Sequence, residues 1–133
     1  SEDGESVVAE KLWDTEPKKD RYYASPVIHD GLVYACNQAG VFSAIDGATG
    51  EVVYEQNMGF GKGTVYPSVT LVGDLLYVSS DNGKTAVIKP GRVFEQLAMN
   101  ELEPFRSSPV AIGDRLYIRG LSHLYCLGPV GEG

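Results

Sequence analysis

The side chains able to do chemistry in this chain are scattered, and their spacing decides what each can do. Gly59-Phe60-Gly61-Lys62-Gly63-Thr64 has the glycines and lysine of a phosphate loop. A P-loop needs four residues between its first glycine and the Gly-Lys pair, and it opens a helix whose amides converge on phosphate. Here the spacing differs and a strand pattern follows, so the stretch reads as a flexible loop with Lys62 as a surface contact. His29 and His123 have no second His, Cys or carboxylate at metal-ligand spacing. His29 reads as an exposed or capping residue beside a turn, and His123, where a loop enters a strand, as a binding candidate. Asp81-Asn82-Gly83 lacks the alternating ligands and distal glutamate of a calcium loop and reads as a turn. Glu101 and Glu103 read as solvated charge, because acid–base work needs carboxylates in a shaped, partly buried site. Cys36 and Cys126 each lie in an apolar run and read as two small buried thiols. No catalytic residue, cofactor-binding residue or metal ligand emerges from these groups.

Composition narrows the partners. The chain has 133 residues and a formal net charge of −7, which disfavours both a nucleic-acid phosphate backbone and docking on an anionic membrane. No apolar run approaches the roughly 20 residues needed to cross a bilayer. Eight tyrosines and 16 glycines favour strands and turns.

The elements that must position these groups recur. Asp30-Gly31-Leu32-Val33-Tyr34, Gly73-Asp74-Leu75-Leu76-Tyr77 and Gly113-Asp114-Arg115-Leu116-Tyr117 align on their tyrosines, 43 and 40 residues apart. Ser25, Ser68 and Ser108 each stand nine positions before the tyrosine, which makes them structural rather than nucleophilic. The period fits propeller blades of four short antiparallel strands. Strand A is expected at Val27–His29, Ser68–Val72 and Val110–Ile112, and strand B, after a two-residue turn, at Leu32–Cys36, Leu75–Ser79 and Leu116–Arg119. Strand C is expected at Val41–Ile45, Thr85–Lys89 and His123–Leu127, and strand D at Glu51–Gln56 and Val93–Ala98. Ser6–Asp14 reads as a lone strand D from a preceding blade, joined by the linker Thr15–Tyr23. The order is therefore D, ABCD, ABCD, ABC, with blades at 25–56, 67–98 and 107–127 in one repeat domain over 1–133. No helix is expected.

Between the C and D strands of the first repeat lies Ala44-Ile45-Asp46-Gly47-Ala48-Thr49-Gly50-Glu51-Val52-Val53-Tyr54. It resembles the tryptophan-docking motif of pyrroloquinoline-quinone-like β-propellers, commonly Ala-x-Asp-x-x-Thr-Gly-x-x-x-Trp. Asp46, Thr49 and Gly50 match, and Tyr54 takes the tryptophan position. In that family the aromatic packs on the neighbouring blade while Asp and Thr tie the turn together. Trp13 looks like the same docking aromatic; the second copy keeps only Phe94. Ser25-Pro26-Val27 and Ser108-Pro109-Val110 also look like this family.

The resemblance implies an all-β fold of about three blades, either part of a six- to eight-bladed propeller or half of a ring closed by a second copy. It also implies an extracytoplasmic setting. Quinoprotein members use a catalytic aspartate, calcium ligands and quinone-clamping residues, none of which can be placed here. Other members lack the quinone and serve as scaffolds, such as the propeller lipoprotein of the bacterial outer-membrane assembly machinery. The expected function is thus a non-catalytic scaffold for protein contact or self-association, with no cofactor. The alternatives are a fragment of a quinone-dependent dehydrogenase binding pyrroloquinoline quinone with calcium, and a small-ligand-binding propeller. Loops joining D to A and B to C gather at one end of a propeller, and loops on rigid scaffolds carry function. They supply the binding-face candidates Arg21, Tyr22, Tyr23, Tyr66, Arg106 and His123, beside Lys62, Asn37, Gln38, Asp81 and Asn82.

Overall fold

The computed structural model describes residues 10–15, 21–113 and 115–127. Its elements are all strands: β1 Val27–His29, β2 Leu32–Cys36, β3 Val41–Asp46, β4 Val52–Asn57, β5 Thr70–Val72, β6 Leu75–Ser79, β7 Lys84–Ile88, β8 Gln96–Glu101, β9 Val110–Ile112, β10 Arg115–Arg119 and β11 Leu124–Leu127. They form three antiparallel meanders, β1-β2-β3-β4, β5-β6-β7-β8 and β9-β10-β11. The first hairpin turns through Asp30 (φ 49°) and Gly31 (φ 78°), the positive-φ pair that a two-residue turn twisting with its strands requires.

Register decides which residues each sheet hides. Tyr34 lies opposite Val27 and Ala44, and Ala44 opposite Tyr54, so these residues share a face with Leu32 and Phe42. That face packs on Leu76, Val78, Ala86 and Ile88 of the second sheet in one continuous core. The second sheet's opposite face, with Val72 and Tyr77, packs on Leu116, Ile118, Ala111 and Tyr125 of the third. Each sheet thus presents one face backward and one forward. The inner strands β5 and β9 touch directly.

Several boundaries differ from the sequence expectation. The second outer strand begins at Gln96 rather than Val93. In the first sheet the Asp46 N–H donates to Glu51 O; in the second the Lys89 N–H donates to Glu95 O, so a wider turn absorbs Val93 and Phe94. Phe94 still meets the Tyr54 ring edge-on, with centroids 5.7 Å apart. Of the lone strand expected over Ser6–Asp14, the part before Glu10 lies outside the described residues, and 10–14 carries no strand. Of the linker Thr15–Tyr23, residues 16–20 lie outside the description. Cys36 is buried, and desolvation pushes its thiol up to about 12. Cys126 is exposed, contrary to expectation, because it lies opposite Tyr117 on the third sheet's outward face, which no described residue covers.

Candidate functional site

The segments that lead into β1, β5 and β9 are each closed by the same backbone bond. The Gln38 N–H donates to Arg21 O, Asp81 N–H to Thr64 O, and Leu121 N–H to Pro104 O, at 2.7, 2.8 and 3.3 Å. The acceptors stand four residues before Ser25, Ser68 and Ser108 in turn. Those serines form a ladder: the Ser25 N–H donates to Ser68 Oγ at 3.2 Å, and the Ser68 N–H to Ser108 Oγ at 2.9 Å. The recurrent serine is therefore a structural link between sheets.

With the loops locked in phase, residues two positions before each serine fall into a row. Tyr23 and Tyr66 lie with ring centroids 4.9 Å apart, tilted by 30°. The Arg106 guanidinium sits 4.8 Å above the Tyr66 ring, a cation–π contact. Its Nε is 3.9 Å from Asp81 Oδ2, while Asp81 Oδ1 accepts the Thr64 N–H at 2.9 Å. Tyr23 is 48% exposed and the Arg106 side chain 72% exposed, so the row faces solvent. Three expected binding-face residues, one from each repeat, are thus brought together. Asp81, read as part of a turn and among the loop residues of the binding face, is the carboxylate beside Arg106.

The remaining candidates separate from this row. His123 pairs with Glu103, its Nδ1 3.7 Å from Oε2, and its ring lies 5.9 Å from Tyr125. Glu103 is not free solvated charge: its carboxylate accepts the N–H groups of Ser122 and His123 at 2.9–3.2 Å. Burial works against its ionisation, but those two amides and His123 outweigh burial and hold the carboxyl below the usual range. A side chain at Gly120 would collide with that carboxylate, so the Gly120-Leu121-Ser122 loop was the sequence's sign of it. Arg21 contributes its carbonyl, and Tyr22 is 39% exposed. Lys62 is exposed, and no helix follows its glycine-rich loop, which instead buries Phe60.

The motif residues gather at the opposite end of the strands. Asp46 Oδ1 accepts the N–H groups of Ala48 and Thr49, and Thr49 Oγ1 accepts that of Glu51. Arg92, from the second sheet, reaches back to Asp46 Oδ2 at 3.3 Å. The Ala48 and Thr49 amides, followed by Arg92, lower the Asp46 pKa. Trp13 Nε1 donates to Gly47 O at 3.0 Å, and the ring lies over Gly50 so closely that a methyl there would sit 2.6 Å from it. Tyr54 packs on Phe42 and Phe94, with its hydroxyl buried and unpartnered. Between the first two sheets at this end is a cavity of about 250 Å³, lined by Asp30, Leu32, Tyr34, Pro90, Gly91 and Arg92. No group of three or more His, Cys, Asp or Glu able to hold a metal occurs among the described residues.

No known family's sequence model matches the chain. No curated protein matches it either. Among solved structures it is similar to the crystal structure of BamB from Moraxella catarrhalis, with a TM-score of 0.70 and 14% identity, over 85% of this chain and 35% of that one. The chain therefore spans about a third of that protein's length. Together with three sequential antiparallel meanders, this likeness shows that the chain has a β-propeller-like fold built of blades.

Proposed function

We propose that the chain is a non-catalytic propeller scaffold for protein contact, and that the row Tyr23–Tyr66–Arg106 is its contact surface. The observation that carries this reading is the row itself: three side chains of interface-anchoring type, one per repeat, in mutual contact, with Tyr23 and Arg106 exposed and Tyr66 half-buried between them. Aromatic residues and arginine dominate binding energy at protein interfaces. The rings offer apolar faces, and Arg106 offers a guanidinium that Asp81 orients without enclosing. Such a surface suits an extended peptide segment that lays an apolar side chain on the tyrosines and a carboxylate or carbonyl against the arginine. The non-quinone scaffolds that the docking motif resembles support the same reading.

The test is selection of binders from a random peptide library, followed by affinity measurement on variants. Tyr66→Ala and Arg106→Ala are each expected to weaken the selected peptides about tenfold, equivalent to about 1.4 kcal/mol. The melting temperature should stay within a few degrees of the parent. Peptides whose affinity ignores both substitutions would contradict the assignment.

A further inference from the structure

We propose that the cavity between the first and second blades binds a free apolar amino acid, holding its carboxylate at Arg92 and the Tyr34 hydroxyl and its ammonium group at Asp30. The cavity lies at the turn end, away from the Tyr23–Tyr66–Arg106 row, so this inference is independent of the function proposed above. One wall comes from the first sheet, as Asp30, Leu32 and Tyr34; the other is the Pro90-Gly91-Arg92 turn of the second. That turn is where the second repeat departs from the docking motif. In the first repeat Asp46 and Thr49 tie the turn through local bonds. In the second, Lys89 and Arg92 stand at the Asp46 and Thr49 positions, and the turn closed by Lys89 and Glu95 is wider. It reaches the first sheet, where the Gly91 N–H donates to the Tyr34 hydroxyl at 2.9 Å. A methyl group at Gly91 would meet nothing within 4 Å, so the wall there is bare backbone.

Three polar groups line this cavity with bonding capacity to spare. Tyr34 is 1% exposed, and although its hydroxyl accepts from Gly91, nothing among the described residues accepts its own proton. A phenol both donates and accepts, and a buried donor left unpaired is costly. Burial, reinforced by Asp30 and opposed by the Gly91 amide, raises the Tyr34 pKa from 10.0, so the proton is there to give. Arg92 directs Nη1 and Nη2 to one oxygen of Asp46 at 3.3 Å, longer than the usual charge-assisted bond. A guanidinium carries five N–H donors, so this pairing leaves donors for a second carboxylate. Asp30 stands at the mouth, its side chain 90% exposed and 3.4 Å from His29 Nε2.

Charge and size then select the ligand. Asp30 and Arg92 come from opposite walls, and each is paired with another residue, His29 and Asp46 in turn. A lone anion at Arg92 would face the carboxylates of Asp30 and Asp46, and a lone cation at Asp30 would face the Arg92 guanidinium. A zwitterion gives both charges a partner, which a charge leaving water requires. Leu32, 4% exposed, and Pro90 supply apolar surface for the body of the ligand. At about 250 Å³ the cavity falls just short of the roughly 300 Å³ at which drug-sized ligand pockets begin. That suits leucine or phenylalanine rather than a nucleotide.

The test is titration of L-leucine and L-phenylalanine into the isotopically labelled full chain, followed by amide NMR and by melting temperature. The Tyr34, Gly91 and Arg92 amides should shift in a saturable way. The melting temperature should rise with ligand concentration, because the ligand binds the folded chain and not the unfolded one. N-acetyl-L-leucine lacks the ammonium group and L-leucinamide lacks the carboxylate, and each should bind about tenfold more weakly or worse. Asp30→Asn keeps a residue that tolerates the φ of 49° at this position and should weaken leucine by a similar factor. Arg92→Gln should do the same, with far-UV circular dichroism unchanged in both variants. If Arg92→Gln disturbs the turn, the two analogues on the parent chain still decide. Gly91 and Arg92 amides that ignore both amino acids overturn the proposal and leave the cavity to water. N-acetyl-L-leucine binding as tightly as leucine overturns it too, as does saturable binding that moves Tyr23 and Tyr66 in place of Gly91.

Discussion

Asp46 does the work of a turn and of a bridge at once. Its carboxylate ties the Ala48 and Thr49 amides within the first blade and takes Arg92 from the second. Its pKa is lowered from the ordinary 3.8 by the two amides first and by Arg92 after them. A carboxylate depressed in the folded state adds stability above its unfolded pKa, and that stability is lost as pH falls through the folded value. Unfolding free energy measured by urea from pH 6 to pH 2.5 is therefore expected to drop below about pH 4. Asp46→Asn should shrink that acid-side drop while lowering stability at pH 6. An unchanged acid limb in the variant would contradict the assignment. Gly50 gives a second test at this scale. It holds φ 79° beneath the chain's single tryptophan, so a side chain there is both strained and in collision. Gly50→Ala should cost about 1 kcal/mol or more and shift Trp13 emission to the red as the ring is lifted into water. Emission that does not move would show that Trp13 is not seated on the turn.

Much at this scale was legible and some was not, for physical reasons. Asp46 and Thr49 could be read because their turn bonds are local, two or three residues apart. Arg92 could not, because its partner lies 46 residues back and only folding reveals the pair. Phe60 and Phe105 stand in polar, glycine- or proline-bearing loops, which hid their complete burial. Cys126 was misjudged because an apolar alternation marks a face without saying what covers it.

At the scale of the element, the blades are joined by two apolar cores and by a repeat-matched ladder of backbone amides donating to serine hydroxyls. The Ser25–Ser68–Ser108 ladder links successive inner strands, and Ser68 takes part in both rungs. Ser68→Ala removes the acceptor for the Ser25 amide and leaves the second rung, formed by its own N–H, intact. A lost hydrogen bond of this kind costs about 1 kcal/mol. The expected result is a melting-temperature loss on the order of 3–5 °C with the all-β circular dichroism spectrum retained. A variant as stable as the parent would reduce the ladder to coincidence. Strand positions were legible from the tyrosine-anchored repeat wherever two-residue turns fix the register. They slipped at β8, where the turn closed by Lys89 and Glu95 is wider than its counterpart in the first blade and Pro90-Gly91 gave no measure of its length.

At the scale of the molecule, the two ends of the blades differ in kind. One end is closed by turns, an Asp46–Arg92 bridge and the Trp13 contact; the other presents long loops and the Tyr23–Tyr66–Arg106 row. The repeat made this division legible, since D-to-A and B-to-C loops must emerge together from antiparallel meanders. The phase of the row was less visible, because it depends on the three loops being locked at equal depth by the Gln38, Asp81 and Leu121 amides. The direct measurement is an amide-and-side-chain NMR titration of the isotopically labelled chain with a library-selected peptide. Shift changes are expected to concentrate at Tyr23, Tyr66, Arg106 and Asp81, spanning all three repeats. Changes confined to the turn end around Asp46 and Arg92, or to the exposed residues Ile28 and Leu124, would contradict the account.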